Sequence, residues 1–317
     1  MRIEVLKSRD IASLVEIWNR NLPVDPISAA ALEARVLLDP SFREEYCLVA
    51  GEGGEGIGFV VGICGEGFHF CAERAPGAGA GTQAWILAMA VEAGHRGRGV
   101  GTALLETLEG RFREAGKREV WVASYPTAYV VPGVDEVAYA EGVAFFRARG
   151  YRVASRAVAM DASLWPLALP DGAAEKEAAL AAQGIAFDTY RSRWLLPLRR
   201  FLRAQVPWDW EWLALRNLGR AHEGSFCAEQ FLLAIHEGEV VGYCQYEGAH
   251  FGPFGVAQGY QGRGIGTALL ARALRSMAQR GAHSAWVLWT GGRAAELYAR
   301  FGFRESRRFA ILHKELW

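Results

Sequence analysis

A glycine-rich dodecamer occurs twice in this chain, and nothing else in the sequence restricts its fold so strongly. Residues 94–105 read GHRGRGVGTALL and residues 259–270 read GYQGRGIGTALL, identical at nine of twelve positions, with Val100 and Ile265 a conservative exchange. A second pair follows in the same order, FFRARGYR at 145–152 against LYARFGFR at 297–304. Ordered self-similarity means two copies of one structural unit, and 317 residues suit two domains of ordinary size. Gly101 and Gly150 are 49 positions apart and Gly266 and Gly302 only 36, so the first half carries 13 extra residues. They fall most simply in 125–136, where two prolines and a glycine predict a loop. Pro166 and the run Pro170-Asp171-Gly172 interrupt periodicity between the halves, which sets the expected domains at 1–166 and 173–317.

Hydrophobic periodicity gives each half the same succession of elements. In the first, strands are expected at 2–6, 46–50, 57–64, 85–91 and 120–123, with helices at 11–19, 29–38, from the glycine turn to about 115, and at 137–149. A strand at 152–160 and a short Ala/Glu-rich helix lead into the second half. There the corresponding strands are 185–190, 231–236, 240–246, 251–256 and 285–289. The helices are 195–204, 210–218, from the turn to about 280, and 294–301. Strands and helices are mixed rather than strictly alternating. The expected fold class is therefore α+β, two domains each with a central mixed sheet flanked by helices, and not a doubly wound dinucleotide fold.

Charge and cysteine content narrow the function classes. Lys plus Arg equals Asp plus Glu at 35 each, so no global positive field exists to hold nucleic acid or an anionic membrane. Residues 1–7 (MRIEVLK) carry charges where a signal peptide needs an apolar stretch, and no apolar run approaches the roughly 20 residues of a membrane span. Five cysteines (Cys47, Cys64, Cys71, Cys227, Cys244) include no C-x-x-C pair and mostly sit in apolar strand-like stretches. The expectation is a cytoplasmic chain with reduced thiols, no disulfide framework and no metal.

In both copies a strand runs into Gly-x-Gly-x-Gly-Thr and then an amphipathic helix. Glycines let backbone amides approach a ligand, and a helix N-terminus adds partial positive charge, a combination suited to a pyrophosphate. Two phosphate-binding rivals fail on spacing: a dinucleotide fingerprint needs glycine where Thr102 and Thr267 stand, and a Walker loop needs Gly-Lys-Ser/Thr, which is absent. A plain strand-to-helix turn without ligand would look similar, but its duplication with the arginine retained argues against that.

Arg96-Gly97-Arg98-Gly99-Val100-Gly101 and Gln261-Gly262-Arg263-Gly264-Ile265-Gly266 both satisfy the Arg/Gln-x-x-Gly-x-Gly/Ala signature of the GNAT superfamily of N-acetyltransferases, each after a strand ending in valine. Leu297-Tyr298-Ala299-Arg300-Phe301-Gly302-Phe303 resembles that family's closing helix. The resemblance covers essentially the whole chain as tandem domains, an architecture similar to mycothiol synthase. It implies acetyl-CoA as co-substrate, its pyrophosphate on the amides of 96–102 (Arg96 through Thr102) or 261–267 (Gln261 through Thr267). The pantetheine arm would pair beside Met89-Ala90-Val91 or Phe254-Gly255-Val256, whose N–H groups can polarise the thioester carbonyl. An amine then attacks directly, a base or water chain removes its proton, and an acid protonates the departing thiolate.

The resemblance also separates the halves. The family's proton donor is often the tyrosine of the closing helix; Tyr298 holds that place in the second half and Phe146 in the first. The second domain is thus the expected catalyst, with Tyr298 as general acid. The family's asparagine, seven residues earlier, falls on Gly291, and Tyr139 stands at that place in the first half. Glu247 and His250 are the base candidates, against an ordinary reading as solvated polar residues. Trp208, Asp209 and Trp210, in a run of three indoles and two carboxylates, suit a cationic acceptor, although a helix start with Asp209 as N-cap is the simpler reading. Expected partners are a small-molecule amine or a peptide, with no nucleic acid and no membrane, in a monomer or homodimer. The rival to catalysis is a non-catalytic acyl-CoA-binding sensor or scaffold.

Overall fold

The computed structural model describes residues 1–64, 81–127 and 129–317; Cys71 and residue 128 of the predicted loop lie outside them. The chain forms two compact units, Met1–Ala157 together with Arg308–Trp317, and Val158–Arg307.

The first unit starts with β1 (Arg2–Val5), α1 (Ile11–Asn21) and α2 (Ala29–Leu32), followed by β2 (Cys47–Glu52), β3 (Glu55–Cys64) and β4 (Gln83–Val91). Then come α3 (Val100–Glu114), β5 (Glu119–Val122), β6 (Val134–Asp135), α4 (Ala140–Arg147) and the start of β7 (Arg152–Ser163). In α1, Leu14, Ile17 and Trp18 fall at helical spacing and are buried, Trp18 stacking on Phe59 of β3 with ring centroids 5.6 Å apart. The opposite face of the sheet takes Leu104, Leu105, Leu108 and Phe112 of α3 against Val60, Ile86 and Val122. Covered on both faces, β3 is buried without interruption from 58 to 64 instead of alternating. Two expected helices are shorter than their periodicity suggests. The one at 137–149 starts only at Ala140, because the Asp135 carboxylate accepts the N–H groups of Val137 and Ala138 and turns the chain there. The one at 29–38, capped by Ser28, keeps α-geometry to Leu32 and widens to a π-turn over 33–37.

The second unit takes up the last half of β7 and continues with α5 (Ala173–Ala182), β8 (Ile185–Thr189), α6 (Leu195–Gln205), α7 (Trp208–His222), β9 (Phe231–His236), β10 (Glu239–Glu247) and β11 (His250–Val256). It ends with α8 (Ile265–Gln279), β12 (Ser284–Thr290), α9 (Gly292–Arg300) and the start of β13 (Arg304–Glu315). Its sheet order is β8-β9-β10-β11-β12-β7, antiparallel throughout except the parallel pair β11–β12. The first unit repeats that plan as β1-β2-β3-β4-β5-β13, with β4–β5 the parallel pair.

The last strand of each sheet does not come from where contiguous halves would place it. Leu312–Glu315 pairs with β5 in the first unit, while 158–163 of β7 pairs with β12 in the second. Against the expected domains 1–166 and 173–317, residues 158–166 therefore belong to the second unit and 308–317 to the first. A buried ion cluster fastens the late strand: Lys314 Nζ lies 2.8 and 2.7 Å from the two carboxylate oxygens of Glu109 on α3. That carboxylate also accepts from Tyr151 Oη (2.9 Å) and Arg113 (3.2 Å). Glu109 is 3% exposed, so only this set of donors makes its burial tolerable.

Candidate active site

Both glycine turns have the same backbone. Gly97 and Gly99 have φ of +73° and +84°, Gly262 and Gly264 +78° and +95°, and α3 and α8 start directly after the second glycine of each pair. A Cβ at any of these four positions would meet nothing within 4 Å, so glycine is required there by the left-handed backbone, and the space in front of the amides is open. The third glycine serves packing: a Cβ on Gly101 would lie 3.2 Å from the Phe145 ring, and one on Gly266 3.0 Å from Phe254. The signature Arg/Gln is a brace in both copies. Arg96 Nε donates to Val91 O at 3.0 Å and Gln261 Nε2 to Val256 O at 3.1 Å, tying the turn to the end of the preceding strand.

In the first unit the turn opens onto a cavity of about 870 Å³. β4 and β5 pair from Gln83–Glu119 to Ile86–Val122 and then separate. Just there β4 carries an extra residue, since Val61 pairs with Ala88 and Gly62 with Ile86, which leaves Leu87 as a bulge. The cavity walls come from both layers over the sheet: Leu22, Pro23 and Asp25 after α1, and Gly97, Gly101 and Phe146 of the turn and helices opposite. Met89, Ala90 and Val91 line it between them, as do Tyr139 and residues 130, 131, 133 and 134 of the predicted insertion loop. Its rim is electrostatically organised. Glu92 accepts from Arg20 (2.8 Å) and Asn21 (3.1 Å), and Arg96 donates to Asn21 Oδ1 at 2.9 Å. Burial alone would raise the Glu92 carboxyl; the hydrogen bonds from Arg20 and Asn21 with the nearby guanidinium charges outweigh it and hold the group below its ordinary value. Arg98 on the turn is exposed and makes no ion pair among the described residues.

In the second unit aromatic side chains cluster at the equivalent strands and closing helix. β11 and β12 pair only at His250–Trp286. Phe254, aligned with Met89, reaches the start of α8 and packs beside Tyr298 with ring centroids 6.3 Å apart. Phe251 and Phe303 close around Tyr298 at 5.9 and 5.4 Å. Tyr298 is 6% exposed, and burial, with the neighbouring Cys244, pushes its hydroxyl well above the ordinary phenol value. The bulge of β11 holds Gly252 and Pro253, the latter aligned with Ala88 and without a backbone N–H.

The other predicted residues are placed as follows. Glu247 forms a bidentate pair with Arg220 at 2.7 and 3.1 Å, whose hydrogen bond keeps its carboxyl below the usual range. His250 faces Glu247 across the β10–β11 hairpin and lies 4.3 Å from the Trp286 indole. Trp208, Asp209 and Trp210 open α7, but the N-cap is Pro207 and Asp209 sits inside the first turn, where burial raises its carboxyl against the N–H groups of Asp209 and Trp210. Trp210 packs into the core beneath α6 and α7. Arg263 is engaged with Gln183 at 2.8 Å. Sequence reasoning noted Glu92 only as a polar residue after its strand and missed its partners Arg20 and Asn21, and it missed Arg149, which stands where the second half has Phe301. The visible signal was an arginine at a position that is apolar in the repeat. Among the described residues there is no cluster of His, Cys, Asp or Glu able to hold a metal and no helix long and apolar enough to cross a membrane.

Comparison with known proteins agrees with this geometry. Residues 11–129 match a GNAT-family acetyltransferase model, and residues 227–305 match a GNAT acetyltransferase domain model. The chain belongs to the GNAT acetyltransferases, as a tandem two-domain member. Among solved structures it resembles the GCN5-related glucosamine N-acetyltransferase region of a fungal multi-domain β-N-acetylglucosaminidase, at TM-score 0.81 and 18% identity. That match covers 98% of this chain but 38% of that protein. A GCN5-related N-acetyltransferase of Sphaerobacter thermophilus gives TM-score 0.70 at 17% identity, over 99% of this chain and 95% of the other. A tandem GNAT protein of the clavulanic acid pathway gives 0.63 at 16%, over 99% and 98%. No curated protein matches the sequence significantly.

Proposed function

We propose that this chain is an acetyl-CoA-dependent N-acetyltransferase acting on a primary amine, and that its first domain carries the chemistry. The observation behind that assignment is the cavity running from the glycine turn past the β4 bulge to the loop after α1, whose volume gives a thioester and an acceptor one shared space. In this reading the diphosphate lies on the amides of 97–102 and the pantetheine arm along Met89-Ala90-Val91. The acceptor enters by Leu22, Pro23 and Asp25. The amine nitrogen bonds to the acyl carbon as the carbon–sulfur bond breaks, a water chain carries off the proton the nitrogen loses, and the phenol of Tyr139 on the cavity wall supplies a proton to the thiolate. Glu92, held ionised by Arg20, acts as a brace of the rim and not as the base. Buried thiols such as Cys47, pushed up to about 12 by desolvation, suit a cytoplasmic setting.

A second reading keeps the sequence expectation of a working second domain, favoured by Tyr298 in the closing helix. Calorimetric titration of the CoA-stripped chain with acetyl-CoA separates the two. The expected result is one site per chain, lost in Gly99→Asp and retained in Gly264→Asp. The reverse pattern transfers the chemistry to the second domain. Binding without turnover over a broad amine panel leaves the sensor reading, and no binding in either form ends the transferase reading.

A further inference from the structure

Arg149 follows α4 in the first unit and turns back onto the glycine turn. Its guanidinium lies 3.7 Å from the centroid of the Phe145 ring, with one terminal nitrogen donating to Phe145 O at 2.9 Å and the other to Thr102 Oγ1 at 2.5 Å. Thr102 is in the first turn of α3, directly behind the amides of Gly99 and Gly101. Two properties remain unexplained by these contacts. Arg149 is half-buried and has no carboxylate within 4 Å among the described residues, and its Nε–H is shut off from solvent with no acceptor. Lys314, another partly buried cation of this unit, is by contrast compensated by Glu109. A buried donor without an acceptor and a cation without an anion both cost stability, and in native proteins such a group marks a missing ligand often enough to require an explanation. The second unit has Phe301 here, buried in its core, so the fold itself does not need a cation at this position.

We propose that Arg149 is a further cofactor-binding residue of the first domain, supplying the positive charge for the diphosphate of acyl-CoA seated on the glycine turn. This rests on the assignment of acyl-CoA to the first domain. The turn contributes amide donors and a helix terminus, which fix the position of a diphosphate but carry only partial charge. Arg149, held at Thr102 and stacked on Phe145, places a full charge beside the first turn of α3, and the exposed Arg98 lies on the turn itself. Charge-assisted hydrogen bonds from a pre-oriented guanidinium are the strong ones. Phe301 deprives the second domain of the same contact although its turn is otherwise alike.

The test is titration of the full chain with CoA, 3′-dephospho-CoA and pantetheine, in wild type, Arg149→Met and Arg149→Lys, with melting curves of the free proteins as the folding control. Expected for Arg149→Met is affinity about ten- to a hundredfold weaker for both CoA and 3′-dephospho-CoA, unchanged for pantetheine, with partial recovery in Arg149→Lys. The salt dependence of CoA binding should flatten in the same variant. Equal loss for pantetheine, or no loss for CoA, overturns the proposal. Loss confined to CoA and absent for 3′-dephospho-CoA overturns the diphosphate assignment in favour of the 3′-phosphate. If wild type itself binds no CoA, the functional assignment fails and this one with it, whereas wild-type binding matched by Arg149→Met sinks this one alone.

Discussion

The two glycine turns have matching left-handed glycines and share nine of twelve residues, yet the first opens onto a cavity of about 870 Å³, while beside the second Phe254 packs with Tyr298. The difference comes from three neighbouring positions outside the motif. Met89 brings a slim thioether to the helix start where Phe254 brings a ring, Ala88 keeps an N–H beside the strand bulge where Pro253 has none, and Arg149 offers a charge where Phe301 offers a ring. A motif of this kind specifies a turn. Whether the turn has a ligand to hold depends on what packs around it.

The comparison breaks most visibly in the glycines themselves. Gly99→Asp and Gly264→Asp impose the same left-handed strain, about 1 kcal/mol each. Acetyl transfer should nevertheless fall on the order of 100-fold or more in the first, through lost diphosphate binding, and stay within about twofold in the second; steady-state rates at matched protein stability check this. Next comes the fastening of β13. Lys314→Met leaves Glu109 buried with weakened compensation and should destabilise the first unit by about 3–5 kcal/mol, read as amide exchange accelerating in 1–157 while 158–307 keeps its protection. A smaller effect sharpens the contrast at the closing helices. Removing a true general acid typically costs about 100-fold or more, so Tyr298→Phe leaving the rate within about twofold supports a non-reacting second domain, and a large loss restores that domain as catalyst. The smallest concerns pH. Because the folded Glu92 carboxyl lies below the ordinary value of 4.5, its contribution to stability is fully present above that pH and disappears as pH falls through the folded pKa. Melting temperatures of wild type and Glu92→Gln should differ by a constant amount from pH 7 to 5 and converge in more acid buffer.

The repeat, most strand positions and most helices were legible because each is written locally. Gly97 and Gly99 need positive φ, β3 is one apolar run, and Leu14, Ile17 and Trp18 keep helical spacing. The late start of α4 was not legible, since it depends on which N–H groups the Asp135 carboxylate captures. Nor was β13: RESRRFAILHKE begins with charge, and the partner that pairs with its end lies almost two hundred residues earlier. The Tyr298 to Phe146 exchange pointed to the second domain because a hydroxyl can be read from a sequence, whereas the rings that enclose it can be recognised only once the strands are in register. Arg149 was visible as an anomaly in the repeat, but its meaning needed Thr102 and Phe145 beside it.

The late strand has a consequence for synthesis. Residues 158–307 are continuous and contain every strand of their own sheet, so that unit has all its parts as soon as residue 307 clears the ribosome. The unit that includes residues 1–157 must wait for residues 308–317. Until then β5 presents an open edge, and unpaired edges invite wrong partners, including another copy of the chain. Of these two units, the one that contains residues 1–157 is therefore completed after the other.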